Sequence, residues 1–505
     1  QVFGIPRALF FVPRDSDPFR MYRYGQLLET PLGVAAGPHT QLYQNLISAW
    51  LTGARYLELK TVQVLDELAV TKPCIDMTDE GYNCEWSQEL KLDRSFDEYL
   101  NAWIILHILK DRFGWGDPTE SGFIFNMSVG YDLNGILSPT VQHFLDRMGD
   151  CAAEKAEKIE RLARFYPRAK DLVIPDCISD SITVSTMHGC PPHEVEKIGR
   201  YFVEQRRLNT TIKLNPTLLG ASDVRRILND TLGFKVHVPD LAFEHDLKYP
   251  DGIALIRSLL ESADNTGVAF NIKLTNTLET TNQGQNLPDG EEMVYMSGRA
   301  LHPISINLAA RLQEEFEGAL DISFCAGVSC FNVSDVLACN LGPVTVCSDI
   351  LKPGGYGRLS QYLEELQKAM QVDRSKSLQD FILARDNGSD DYRKAALSNL
   401  KTYARTVLKN SDYHKNRFPY DSIKADRELD LFDCIAAPCM ATCPVTQDIP
   451  GYMYHTARGD YDAAHRVILK TNPFPNVQGM VCDHLCQTKC TRINYDEPLL
   501  IREIK

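Results

Sequence analysis

Between residues 30 and 372, short apolar or β-branched runs alternate with longer amphipathic ones. The short runs are LGVAAG (32–37), YLELKTV (56–62), FIFNMSV (123–129), SITVST (181–186), TIKLNPT (211–217), AFNIKLTNT (269–277), DISFCAG (321–327) and VTVCSDI (344–350). They predict eight strands, and segments such as 97–111, 193–206 and 303–316 predict helices crossing between them. Eight strand-helix units close into a (β/α)8 barrel, whose chemistry sits at the strand C-termini. Several of these strands end in Gly, Asn, Thr, Ser or Asp.

Two connections are too long to be simple turns: roughly 63–96, after the second strand, and 278–298, after the sixth. Both leave the face that would carry the chemistry, which predicts a lid or a substrate wall. From 373 to 430 the chain turns charged and helical, with no strand pattern, and reads as a helical connector. From 431 to 505 it is cysteine-rich and predicted to be helix and loop, and no G-x-G-x-x-G fingerprint occurs.

At 505 residues and 44% hydrophobic content, the chain has room for two or three ordinary domains. A formal charge of -14 argues against an extended nucleic-acid surface. No apolar run approaches the length of a membrane span, and Pro6 and Pro13 interrupt the start, so a cytoplasmic, membrane-free protein is expected.

Six of the fifteen cysteines form two triplets, Cys434-x4-Cys439-x3-Cys443-Pro444 and Cys482-x3-Cys486-x3-Cys490. Soft thiolates at this spacing suit iron-sulfur clusters. Structural zinc usually shows a Cys-x2-Cys knuckle, which is missing, and disulfide frameworks belong to small secreted domains. The nine scattered cysteines read as small buried hydrophobes.

Within the barrel region, Lys60 and Lys213 lie inside apolar strand runs. Lysine facing a barrel interior needs an anion or an acceptor. A reduced flavin supplies one at its N1-C2=O edge, and an ion pair with Glu58 is the competing reading for Lys60. Ser297-Gly298, Ala326-Gly327 and Cys347-Ser348 fall in or beside the last three strand-helix turns, where backbone N-H groups commonly hold phosphate, although turns need glycine in any case. Asn126, Asn215, Asn276 and Thr277 stand at strand ends, suited to a ring lactam or to plain turn capping. Past the fourth strand, Thr186, His188 and Cys190 could move a proton, whereas His193 and Glu194 fit an ordinary helix start after Pro191-Pro192.

These motifs resemble the flavin barrel of dihydropyrimidine dehydrogenase and of the class 1 dihydroorotate dehydrogenases across about residues 30–370. LELKTV, IKLNPT and LTNT are similar to that family's second-strand lysine, fifth-strand lysine and substrate-facing Asn-Thr pair; MSGRALHP, FCAG and VCSD look like its FMN-phosphate turns. The tail resembles the iron-sulfur domain shared with the small subunit of glutamate synthase. The order, TIM barrel first and cluster domain second, is that of large bacterial oxidoreductases carrying a selenate-reductase label.

The resemblance implies a barrel over 1–372 with FMN contacts at Ala36, Gly37, Lys60, Thr61, Asn126, Lys213, Ser297, Gly298, Ala326, Gly327, Cys347 and Ser348, and substrate contacts at Asn126, Asn215, Asn276 and Thr277. It further implies two [4Fe-4S] clusters, one on Cys434, Cys439 and Cys490 and the other on Cys443, Cys482 and Cys486. Fourth ligands are open, because the positions expected to supply them fall at Leu431 and near Lys505. Thr186 stands where relatives carry a catalytic cysteine, so Thr186, His188 and Cys190 share the proton-donor expectation. FAD and NAD(P)H are expected on a continuation or a partner, and an oligomer is expected. The implied reaction is a two-electron change at a C=C or C=N bond of a nitrogen heterocycle from pyrimidine or purine degradation. An electron relay for a molybdenum partner, such as a molybdenum hydroxylase, and a non-catalytic scaffold are the alternatives.

Overall fold

The computed structural model describes residues 2–60, 74–83, 90–117, 119–130, 132–185, 190–282, 291–386, 388–417, 437–490, 492 and 497–505. All eight predicted runs contain or overlap a strand: β1 (Leu32–Val34), β2 (Tyr56–Glu58), β3 (Ile124–Val129), β4 (Ser181–Ser185), β5 (Asn209–Leu214), β6 (Phe270–Leu274), β7 (Ile322–Phe324) and β8 (Leu341–Val346). Each pairs in parallel with its sequence neighbours, and β8 closes on β1, giving a closed barrel.

Strand residues alternate between two environments, as a period of two requires. Leu57, Phe125, Met127, Ile182, Ile212, Ile272, Phe324 and Val344 join one large hydrophobic core with the surrounding helices. The alternate positions, Glu58, Asn126, Thr183, Thr211, Asn271, Lys273, Ser323 and Thr345, are buried and polar. Barrel interiors are commonly filled by branched aliphatic side chains, so this polar lining is a departure that needs internal partners. The hairpin Met21–Arg23/Gln26–Leu28 contributes Leu28, Met21 and Tyr24 to a small apolar cluster with Tyr56 and Ile124.

The predicted crossing helices occur as Leu92–Phe113, Pro192–Arg200 and Leu301–Glu315. The two long connections do not stand apart. Their described portions pair into one four-stranded sheet, in which Met293–Met296 lies antiparallel to Leu278–Thr281 and parallel to Ile75–Asp76, itself paired with Tyr82–Asn83.

The segment after the barrel is helical, as expected, and more than a spacer. Helices Leu378–Arg385 and Tyr392–Thr406 bring Phe381, Leu400 and Ala404 into the barrel's own hydrophobic core. Further on, Pro438–Thr442, Ile449–Ala457, Tyr461–Leu469, Pro475–Met480 and Ile501–Ile504 form a separate helical unit. Asp448 and Asp460 cap the second and third of these by accepting from the Gly451 and Ala463 amides. Its core combines Ile449, Tyr452, Val467, Ile468 and Ile501 with Cys439, Cys486 and Cys490. Among the described residues, no helix is long and apolar enough to cross a membrane.

Candidate active site

The polar interior is knit by hydrogen bonds between strands. Lys273 on β6 reaches across to Glu58 on β2 at 2.5 Å, both side chains fully or almost fully buried, and also donates to Thr345 on β8. Glu58 therefore pairs with Lys273. The competing expectation of a Glu58–Lys60 ion pair is corrected by this geometry: Lys273, two residues before the cis-linked Thr275, is the cation that reaches the carboxylate. Next to it, the Asn126 amide donates to Thr183 Oγ1 at 2.8 Å and to the Met127 carbonyl at 3.0 Å. Its Oδ1 is buried without a hydrogen-bond partner among the described residues, so one acceptor is turned inward and available to a ligand.

Lys60 lies just past β2 and is fully buried; its carbonyl accepts from Tyr99 and its amide donates to the Thr40 carbonyl. Close by is His39, which sequence reasoning did not select. Burial pushes the His39 imidazole down to about 4, the Lys60 charge adds to that, and a backbone bond to Ile350 opposes it. Its Nδ1 lies 4.0 Å from Cys347 Sγ. Gly37 lies against the same sulfur, where a Cβ would come within 2.6 Å of it. Ala36 donates its amide to Glu58 at 3.4 Å.

Lys213 is half-buried at the end of β5. Asn276 links this strand end to the next, donating to Asn215 Oδ1 at 2.7 Å and to the Lys213 carbonyl at 3.2 Å, with half-buried Thr277 following. The two amides thus share one hydrogen-bonded edge rather than standing as separate caps. Cys190 and Asn215 line one small cavity with Leu214, Leu218, Asp246 and others. Burial, followed by the charges of Glu194 and Asp132, pushes the Cys190 thiol up to about 11. Glu194 accepts from the Leu133 amide, the structural role expected of it. Thr61, Thr186, His188 and Cys434 lie outside the described residues.

The three late turns meet at one cleft of about 220 Å³, lined by Gly298, Gly327 and Ser348. Ser297 Oγ and Ser348 Oγ are 3.0 Å apart. Gly327 adopts φ +57°, and a Cβ there would come within 2.7 Å of the Gly298 carbonyl, so the two turns touch with no space for a side chain. Cys347 contacts Gly37 and His39 instead of lining this cleft, and the Ala326 carbonyl is taken up by His302. Arg299, Lys352, Arg358 and Arg417 add positive charge to the cleft, balanced by Glu80, Asp349 and Asp412. Arg299 pairs with Asp79 at 2.6 Å, and Arg358 holds Asp349 through two 2.9 Å bonds. Burial raises the Asp349 carboxyl, but Lys352 and Arg358 outweigh it and hold it below the usual range. Small turns, hydroxyls and fixed cations are a donor set suited to a phosphate monoester.

In the C-terminal unit, Cys439 lies in the first turn of one short helix and Cys443 caps its end, and Cys482, Cys486 and Cys490 follow on a loop and turn. Burial and the nearby Cys490 and Cys486 thiols push Cys439 up to about 11; burial and then Cys443 and Cys482 raise Cys486. Cys486 neighbours Cys443 and Cys482, members of one implied group, whereas Cys439 neighbours both Cys490 of its own implied group and Cys486 of the other. Among the described residues, no three Cys, His, Asp or Glu side chains stand close enough to form a metal site as they are. The thiols are nonetheless mutual neighbours whose ionisation needs a compensating cation, and that chemistry fits an iron-sulfur cluster.

Comparison with known proteins follows the same division of the chain. Residues 3–415 match the family described as oxidoreductase YgfK, N-terminal TIM-barrel domain, and residues 411–505 match dihydropyrimidine dehydrogenase domain II, 4Fe-4S cluster. The chain is 42% identical to the YgfK oxidoreductase of Escherichia coli K12 over 528 aligned positions, covering 100% of this chain and 48% of that protein. It therefore spans about half the length of the curated relatives it matches most fully. The small chain of NADPH glutamate synthase from Azospirillum brasilense is 37% identical over 54 residues, 10% of this chain and 11% of that one. A ligand-free dihydroorotate dehydrogenase from Eimeria tenella aligns with a TM-score of 0.46 at 15% identity, covering 75% of this chain and 95% of its own.

Proposed function

The chain belongs to the YgfK family of oxidoreductases, and from that premise we propose that its barrel binds FMN and exchanges two electrons with a C=C or C=N bond of a nitrogen heterocycle. The observation that carries this reading is the meeting of Gly298, Gly327 and Ser348 on one cleft, in a barrel whose interior and strand ends carry lysines and carboxamides. When bound, FMN supplies the hydride chemistry.

The residues' tasks follow from their chemistry. Gly298, Gly327, Ser297 and Ser348 hold the phosphate through backbone amides and hydroxyls, and Gly37 lets the ring approach the first strand. Lys60 and Lys213 provide positive charge at the ring's N1-C2=O edge, with Thr61 beside Lys60. Asn126, Asn215, Asn276 and Thr277 match donors and acceptors of the heterocycle. Thr186, with His188 assisting, or Cys190 delivers the proton on the substrate side. A thiol pushed up to about 11 stays protonated at neutral pH, which leaves it a reserve of protons but a weak acid.

The C-terminal cysteines are read as ligands of two [4Fe-4S] clusters that pass electrons between this flavin and an FAD/NAD(P)H module on a continuation or partner. Anaerobically purified protein should contain FMN, iron and acid-labile sulfide. Lys213→Ala should lower the flavin potential, because a nearby cation favours the reduced, anionic ring. An unchanged potential would remove Lys213 from the ring's edge, and folded protein unable to take up FMN would reject the flavin reading.

A further inference from the structure

The phosphate cleft has a wall that belongs to neither the barrel strands nor their turns. Asn410, Asp412, Tyr413 and Arg417 line it together with Gly298, Gly327 and Ser348. They come from the end of the helical segment that leads toward the cluster domain, and Arg417 precedes Cys434 by 17 positions.

Two of the three turns of the cleft are tied to this wall, the first through Arg299 and the second through Asn332 and His302. Arg299 directly follows Gly298; its guanidinium donates to the carbonyls of Asp412 at 3.3 Å and His414 at 3.0 Å while holding Asp79. Asn332 donates to the Gly327 carbonyl at 3.1 Å and to the Tyr413 hydroxyl at 2.8 Å. His302 is neutral, its imidazole pushed down to about 4 by burial. Its Nδ1–H donates to the Ala326 carbonyl at 2.7 Å, which leaves Nε2 to accept from Tyr403 at 2.7 Å. The same ring stacks on Tyr413, centroids 5.1 Å apart and planes 10° from parallel. The two glycine turns touch, so a displaced wall has no slack to move into without shifting both.

We propose that segment Asn410–Arg417 is a positioning wall for the phosphate, so that phosphate binding and docking of this segment on the barrel stabilise one another. This rests on the flavin reading for the identity of the ligand, though not for the chemistry of the cleft. By linkage, whatever the phosphate adds to docking, docking adds to phosphate affinity. Segment 410–417 is thereby held more firmly when the cleft carries its anion.

The test uses the whole chain, with FMN and riboflavin binding measured side by side and amide exchange followed at 408–417. Tyr413→Phe removes the acceptor for Asn332 while keeping the stacked ring; it should weaken FMN about tenfold, the usual cost of orphaning a buried donor. Riboflavin, which has no phosphate, should bind the variant as it binds the parent, a split that a merely structural defect would not give. FMN should also slow exchange at 410–417 where riboflavin does not. Equal FMN affinity in Tyr413→Phe and Arg417→Gln, with no protection of the segment by FMN, would overturn the wall. If the parent takes up no flavin, the flavin reading fails by itself, and inorganic phosphate becomes the probe: protection of 410–417 by millimolar phosphate sustains the wall, and none overturns it.

Discussion

The tripeptide Ile-Lys-Leu occurs at 212–214 and again at 272–274, and the two copies lie side by side in register on β5 and β6. Their lysines have different fates: Lys273 is fully buried against Glu58, and Lys213 is half-buried. A lysine in an apolar strand run is a readable signal, and it pointed to Lys60 and Lys213. The repeated tripeptide carried the same signal for Lys273 and passed unread. Arg299, Glu80 and Lys352 were beyond reach for another reason, since the partners in their contacts lie 219 and 272 positions apart along the chain. Histidines make a residue-level prediction. His39 and His302 are buried and His107 half-buried, and desolvation is the main cause that pushes each down to about 4. The unfolded chain binds these protons near pH 6.5 and the folded chain does not, so the stability they contribute is complete above pH 6.5 and is lost as pH falls toward 4. With all three in play, the slope near pH 5.5 approaches about 4 kcal/mol per pH unit. Urea unfolding between pH 7 and 5 measures it; a flat profile would mean that these rings accept protons in the native state.

At the scale of elements, the strands were legible because each is a β-branched or aromatic run bounded by Gly, Asn or Ser. The small four-stranded sheet was not, since Ile75–Asp76 and Tyr82–Asn83 are two residues long and carry no period to detect. The helices after the barrel were legible as helices, but amphipathic pattern alone did not say that they dock on the barrel core. Turn geometry gives the prediction at this scale. Gly327→Ala places a methyl against the Gly298 carbonyl at a left-handed backbone position. The strained turn should cost about 1–3 kcal/mol. Circular dichroism should keep the barrel signature while FMN affinity falls at least about tenfold, a loss of the order of one hydrogen bond. Full FMN affinity in this variant would detach the turn from the phosphate.

Over the whole molecule, two unlike cores coexist. The barrel core is large and continuous, while the C-terminal unit depends on a few apolar residues together with Cys439, Cys486 and Cys490. A unit whose core is partly thiol has its folding coupled to what the thiols bind. Stripping iron with a chelator after mild oxidation should therefore unfold residues 437–505 preferentially, seen as fast amide exchange there, while the barrel amides stay protected. Exchange that rises equally in both would show a single cooperative unit instead. The small sheet has a consequence of another kind. Because Tyr295 is registered against Ile75, the excursions from β2 and from β6 are one mechanical part. A displacement of either paired strand would therefore be carried to the other through this register. Transplanting the specificity of such a barrel would require carrying both excursions together, with their register intact.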